Sequence, residues 1–291
     1  MTRKQFIFIA VILLAAFAGI TIVKYWGHQG QSDSLTAAAN PDYKQTFWTY
    51  YNKATEYRLQ GKTDSSVVAY QEALKLNPNH EDALYYIGNM YMKVDKFDKA
   101  QEALEKLIRL NPLSEQAYNQ LGNLYFCAKN VNYFHPEKAK SYFNRAKELN
   151  KETLSPNLRL GEIALFQNRE NDAFDIFNKL LMMDQKNTEI FFIIGYLNWK
   201  SEKGQEAAND LQRAFEQGIT SMSTNEQAGP GAAIATKKAL TGKNQECGLF
   251  MNWLTGNLTV PKKYDIKTEM PKLYKKFDQY LITARARLNH D

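Results

Sequence analysis

Small residues recur at a fixed interval along this chain. Ala54, Gly88 and Gly122 lie 34 residues apart, and Gly161 and Gly195 resume the same interval after one longer step. Around Gly88, residues 84–112 carry Leu84, Ile87 and Tyr91, then Ala100, Leu104, Leu107 and Pro112, which are two amphipathic helical stripes separated by a turn. A helical hairpin of this size cannot bury its apolar face alone. Copies at a fixed period therefore stack on their neighbours, and the period restricts the chain to an all-α array of hairpins.

The 291 residues carry a formal charge of +6, modest for the length, with Lys and Glu interspersed as on solvated helix faces; nucleic-acid binding is not expected. Residues 5–23 hold no ionisable side chain and run close to the ~20 residues that a helix needs to span hydrocarbon. With Arg3 and Lys4 before it and Lys24 after, the segment 1–24 reads as an N-terminal transmembrane anchor with a cytoplasmic N-terminus, which puts the body across the membrane. A cleaved signal peptide is the competing reading, because Ala16, Phe17 and Ala18 form an A-x-A site; the chain is then secreted. Residues 25–41 are rich in Gly, Gln, Ser and Ala and read as a flexible spacer. Cys127 and Cys247 lack metal spacing, and both a single disulfide and two free thiols are compatible with the sequence.

From residue 42 to 219 the helical period hardly stops. The first copy, 47–80, has Tyr50, Ala54, Tyr57, Gly61 at its turn, Tyr70, Ala73 and Pro78. The second is 81–114. In the third, 115–153, Tyr118, Leu121, Gly122 and Tyr125 open the hairpin and Ala139, Phe143 and Ala146 close it, with about five extra residues near 130–136. The fourth, 154–187, keeps Leu160, Gly161, Ala164, Ala173 and Phe177, and the fifth, 188–221, keeps Phe191, Ile194, Gly195, Ala207, Leu211 and Ala214. This pattern resembles the tetratricopeptide repeat (TPR) family, which implies a right-handed TPR superhelix of about five hairpins. Three departures stand out. Lys53 takes a Leu place, Ser66 takes an Ala place, and the closing proline is missing after repeats three to five, so irregular curvature is expected at the third-to-fourth junction.

Residues 220–291 form a C-terminal helical segment. Gly229, Pro230 and Gly231 mark a turn, residues 232–240 suit a short helix, and Leu273, Phe277, Leu281, Ala284 and Leu288 share one face of a final helix from about Met270. Capping of the last repeat is its expected role. Basic residues exceed acidic ones between Lys262 and Arg287.

No catalytic, cofactor-binding or metal-binding site is expected. His28, His80, His135 and His290 are isolated, and Met90 with Met92 and Met182 with Met183 read as core filler. No GxSxG, HExxH, P-loop or dinucleotide fingerprint is present. An enzyme site around Cys247 and Trp253 is the least supported reading, since no base lies near the cysteine in sequence.

The TPR resemblance implies instead a concave groove lined by helix A places, here Tyr51, Tyr85, Asn89, Met92, Asn119, Asn123, Phe126, Leu158, Phe192, Tyr196 and Trp199. Asn89 and Asn123 hold equivalent places, so both amides are positioned to bond successive backbone groups of one extended chain. A protein or peptide partner is expected there. The alternative is a groove filled by the chain itself, with Phe126, Leu165 and Phe166 packed on the long third turn or the C-terminal tail. Tyr51, Gln116 and Gln120 stand where a carboxylate clamp needs cations, which disfavours acidic C-terminal peptides. The expected function is a membrane-anchored, extracytoplasmic scaffold, resembling single-anchor periplasmic repeat proteins of bacterial inner membranes, acting as a chaperone-like factor or as a stable subunit of a membrane complex such as a secretion translocon or assembly machinery. A cytosol-facing organelle import receptor is the alternative of another class.

Overall fold

The computed structural model describes residues 41–127, 131–184, 187–223, 253 and 265–288. Among them the regular elements are helical: α1 (Pro41–Leu59), α2 (Thr63–Leu76), α3 (Glu81–Lys93), α4 (Phe97–Leu110), α5 (Glu115–Cys127), a 3-10 turn (Val131–Tyr133), α6 (Pro136–Leu149), α7 (Leu154–Phe166), α8 (Glu170–Met183), α9 (Thr188–Lys200), α10 (Gly204–Ser223) and α11 (Ile266–Leu288). The anchor candidate 5–23, the turn at 229–231, the helix suggested at 232–240 and Cys247, with its pairing to Cys127, lie outside the described residues. Among the described residues no helix is long and apolar enough to cross a membrane. The chain divides into two units, Met1–Ala83 and Leu84–Asp291.

In the first unit α1 and α2 form one hairpin. Ser66 stands at the close-packed place usually held by alanine, and its hydroxyl donates to the Ala54 carbonyl at 2.9 Å, which satisfies a polar group that burial would otherwise penalise. Tyr51 packs among Phe47, Trp48, Tyr70 and His80, with ring centroids 5.2 to 5.9 Å away. His80 is not idle, because its Nδ1 accepts the Ala83 amide at 3.3 Å and so caps α3.

The second unit stacks hairpins whose small residues meet bulky ones. A Cβ added at Gly88 would lie 2.8 Å from Leu104, and one at Gly161 2.9 Å from Phe177. The tightest of these three is Gly122, where Phe143 ring carbons would stand 2.5 to 2.8 Å away. Helix A of repeats two, four and five ends the same way, with a left-handed residue: Asp95 (φ 56°), Asn168 (φ 60°) and Glu202 (φ 61°), matching Gly61 (φ 73°) in the first unit. The following amide reaches back five residues, as in Lys96 to the Tyr91 carbonyl and Lys203 to the Asn198 carbonyl, both 2.9 Å, which is a Schellman closure.

Helix B closes without needing proline. Asn111 and Asn150 both accept the amide two residues on, from Leu113 at 3.0 Å and Glu152 at 3.2 Å, although only the first is followed by Pro112. The side-chain turn therefore carries the junction between repeats three and four. The lengthened third turn is also anchored. Tyr133 bonds Asp98 and packs on Phe97, while the next residue, Phe134, packs between Phe126 and Phe166, with centroids 5.7 and 5.3 Å away. Burial and the Asp98 contact push the Tyr133 hydroxyl up to about 12. One insertion thus ties repeats two, three and four together.

The final helix starts at Ile266, one turn earlier than sequence periodicity suggests, because Asp265 caps it through the Lys267 amide. Its buried stripe is Met270, Tyr274, Phe277 and Leu281 rather than the stripe through Leu273 and Ala284, which are only half-buried. These residues, with Trp253, join α9 and α10 in one apolar core. Met182 and Met183 correct another expectation: both are exposed and fill no core.

Candidate functional site

The inner places of α3, α5 and α7 are linked by polar side chains. Gln120 Nε2 donates to the Tyr85 hydroxyl at 3.5 Å, Asn123 Nδ2 donates to Gln120 Oε1 at 3.1 Å, and Asn119 Nδ2 donates to Ser155 Oγ at 3.3 Å. Asn89 and Asn123 are 8% and 6% exposed, yet the side-chain oxygen of each has no hydrogen-bond partner. An unmet acceptor in such a place costs about 1–3 kcal/mol. Met92 and Leu158 are half-buried beside this row. Phe126, by contrast, is fully covered, with Phe134 of the third turn packed on it.

At the fifth repeat the inner places are occupied by the chain's own C-terminal helix. Phe192 and Tyr196 are buried against Phe277 at 5.1 and 4.9 Å between centroids, and Trp253 sits 5.7 Å from Phe192. Trp199 stays half-buried next to Tyr274. The expectation that Phe192 and Tyr196 face a partner therefore changes: α11 covers them, because its aromatic stripe matches theirs. Trp253 is a packing residue in that same core, not part of an exposed site.

Polar contacts fix α11 in register. Tyr196 donates to Asp278 at 2.6 Å, and Lys200 bridges Asp278 at 3.2 Å and Glu170 at 3.1 Å. Burial opposes charge on Lys200, but its bonds to Glu170 and Asp278 outweigh this and hold its proton more tightly than usual. Arg285 donates from Nε to the Phe166 carbonyl and from Nη2 to the Leu165 carbonyl, each at 2.7 Å. Both carbonyls belong to the last turn of α7, the Leu165 one also accepting the Asn168 amide at 3.2 Å, and a cation there complements the helix dipole.

Sequence reasoning missed a buried ionic cluster one turn before these seats. Arg159 Nη1 donates to Glu162 Oε2 at 2.5 Å, and Glu189, from the first turn of α9, is buried as well, with one carboxyl oxygen lacking a hydrogen-bond partner. Arg159 is 6% exposed, Glu162 0% and Glu189 4%. Burial, then the Glu162 charge, pushes the Glu189 carboxyl well above the usual carboxylate range. The dipole at the start of α9 favours an anion by only about 0.3–1 kcal/mol, against several kcal/mol for burying a second charge, so burial wins. The linkage sign follows. The folded state keeps a proton that the unfolded chain loses near pH ~4.3, so this group's contribution to stability falls as pH rises above that value towards its raised folded pKa. The only sequence signal was an i,i+3 Arg–Glu pair; the third member comes from the next repeat.

With this geometry in view, the comparisons with known proteins are consistent. Residues 54–95 match a "TPR repeat" model and residues 81–114 a "tetratricopeptide repeat" model. A crystal structure of MamA protein shares the fold at TM-score 0.51 and 23% identity, covering 62% of this chain and 96% of that one. A Pseudomonas aeruginosa pilF structure aligns at TM-score 0.51 and 17% identity over 69% of this chain and 92% of that chain. At these identities the likeness is one of fold. The anaphase-promoting complex subunit CDC16 of Saccharomyces cerevisiae is 28% identical over 169 residues, 56% of this chain and 20% of that protein, so the match spans one fifth of that relative's length. Residues 54–114 carry TPR repeats, and the regular elements among the described residues form an all-helical, TPR-like fold.

Proposed function

We propose that this protein is a membrane-anchored scaffold that holds one partner polypeptide, in extended form, along the inner places of α3, α5 and α7. The observation that carries this reading is the repeat-matched pair of buried acceptors, Asn89 and Asn123, each lacking a donor. Acceptors at successive equivalent places fit the backbone N–H groups of an extended chain, whatever its side chains, while Tyr85, Met92 and Leu158 supply apolar contact. The partner is held in a chaperone-like way or as a fellow subunit of an envelope complex; the yeast relative named above is itself a complex subunit.

The apolar segment 5–23 supports an anchor at the N-terminus with the repeats on the extracytoplasmic side. A topology reporter fused after Asp291 is expected to be active only outside the cytoplasm, and cytosolic activity would replace this assignment with an import-receptor topology. The groove is tested by purifying the full chain from mild detergent. Asn89→Ala with Asn123→Ala is expected to leave helix content intact and to weaken capture of the co-purifying polypeptide about 30-fold, two lost bonds at about 1 kcal/mol each. Equal yield from wild type and double variant would refute the groove.

A further inference from the structure

We propose that the outer face of α11 is a docking surface for the anionic headgroups of a lipid bilayer. The inference rests on the proposed function only for the nearness of a bilayer, and failure of the groove reading leaves it standing.

Lys267, Lys272, Lys275 and Lys276 are exposed on α11, and no acidic residue of that helix is. Every other described helix with more than one exposed charge, from α1 to α10, mixes the two signs. The acids of α11 are half-buried and engaged: Glu269 pairs with Lys272 at 2.8 Å, and Asp278 takes Tyr196 at 2.6 Å and Lys200 at 3.2 Å. Asp265, ahead of the helix, accepts from the Lys267 amide at 3.2 Å and from Thr268 Oγ1 at 2.5 Å. Lys267, Lys275 and Lys276 form no ion pair among the described residues.

The fold gains nothing from this arrangement. Lys272 stands three and four places before Lys275 and Lys276, so like charges lie side by side on adjacent turns. Lys267 sits in the first turn, where the helix dipole disfavours a cation. Neither penalty is offset by a contact among the described residues, so the compensating anions come from outside the chain.

The chemistry of the face selects a lipid surface over an acidic polypeptide. Lysine is a compact point charge without the planar fork that grips one carboxylate, and the four span about 14 Å of helix at ~1.5 Å per residue, which suits a sheet of many anions. The apolar segment 5–23 supplies the bilayer. Beyond the lysines the same face continues through Gln279, Ile282, Thr283 and Ala286, all exposed and uncharged. The opposite stripe, Met270, Tyr274, Phe277 and Leu281, is fixed in the core with Trp253, so α11 has no apolar stripe to turn into lipid. The contact is therefore electrostatic and salt-sensitive, and it holds the fifth repeat against the headgroups.

Lysine acetylation of the full chain, read residue by residue, tests this in nanodiscs of phosphatidylcholine alone and of phosphatidylcholine with about 30% phosphatidylglycerol. In the anionic discs Lys267, Lys272, Lys275 and Lys276 are expected to react about fivefold more slowly than in neutral ones, and about 0.5 M salt is expected to restore the rates. The exposed Lys99 of α4 and Lys179 of α8 are expected to keep their rates. Replacing three exposed side chains together, Lys272→Gln, Lys275→Gln and Lys276→Gln, leaves the core intact and is expected to remove the shielding of Lys267. Equal rates in the two discs, slowing that survives salt, or the same slowing at Lys99 and Lys179 would overturn the proposal. Shielding in neutral discs that follows a co-purifying polypeptide would also overturn it, by giving the face to an acidic protein. Incorporation into the discs reports the N-terminal anchor separately, since anionic discs are expected to shield the face whether or not that segment inserts.

Discussion

Truncating Phe277 to alanine is expected to destabilise the second unit by about 3–5 kcal/mol. Its ring is fully buried and lies at the centre of four others, 4.8 Å from Trp253, 4.9 Å from Tyr196, 5.1 Å from Phe192 and 6.2 Å from Tyr280. Two of these contacts are edge-to-face, a geometry worth about 0.5–1.5 kcal/mol beyond area burial. The neighbours come from α9, α11 and the isolated Trp253, so no single element can relax to fill the void. Removing the ring loses transfer energy and leaves a cavity as well. Thermal unfolding should shift down by roughly 10 °C, at about 2–4 °C per kcal/mol for a domain of this size. A loss below about 1 kcal/mol would mean that α11 is not part of the core.

Glu162→Ala is expected to cost a similar amount, about 3–5 kcal/mol, for an electrostatic reason. It strands Arg159 in a buried site, and the Arg159 Nε already has no partner. The contrast that identifies the mechanism is a triple change, Arg159→Met, Glu162→Leu and Glu189→Leu, which removes the whole polar cluster. If desolvation governs, the triple variant is more stable than Glu162→Ala alone in denaturant unfolding. The reverse order would show that the cluster stabilises through its bonds.

Much of the fold is legible in the sequence because its packing rule is local and periodic. Gly88, Gly122 and Gly161 each meet one large side chain of the paired helix, so a small residue every 34 positions reports the hairpin directly. The inter-helix turn is legible at Gly61 alone. Asp95, Asn168 and Glu202 adopt the same left-handed backbone, held by the same five-residue closure, without a glycine to announce it. The third repeat lacks the closing proline, and there the Asn150 side chain accepts the Glu152 amide as Asn111 accepts that of Leu113.

The candidate inner places follow from repeat position, whereas what covers them depends on distant chain. Asn89 and Asn123 occupy matched places and show matched unmet oxygens. Phe192 and Tyr196 have the same kind of place, but Tyr274 and Phe277, some 80 residues on, cover them. Nothing in a single repeat records that encounter. The Arg159–Glu162 pair is i,i+3 within one helix, while Glu189, whose carboxyl the Glu162 charge helps to raise, comes from the next repeat.

Site-specific photocrosslinking tests the central claim most directly. A photoreactive residue at Met92 or Asn119, on the inner places, should capture one partner polypeptide in intact membranes, and one at the exposed Lys99 of α4 should not. Asn89→Ala with Asn123→Ala should reduce the inner crosslinks at least tenfold. Equal crosslinking from Met92 and Lys99, or inner crosslinks indifferent to the two asparagines, would contradict a polypeptide held by that row.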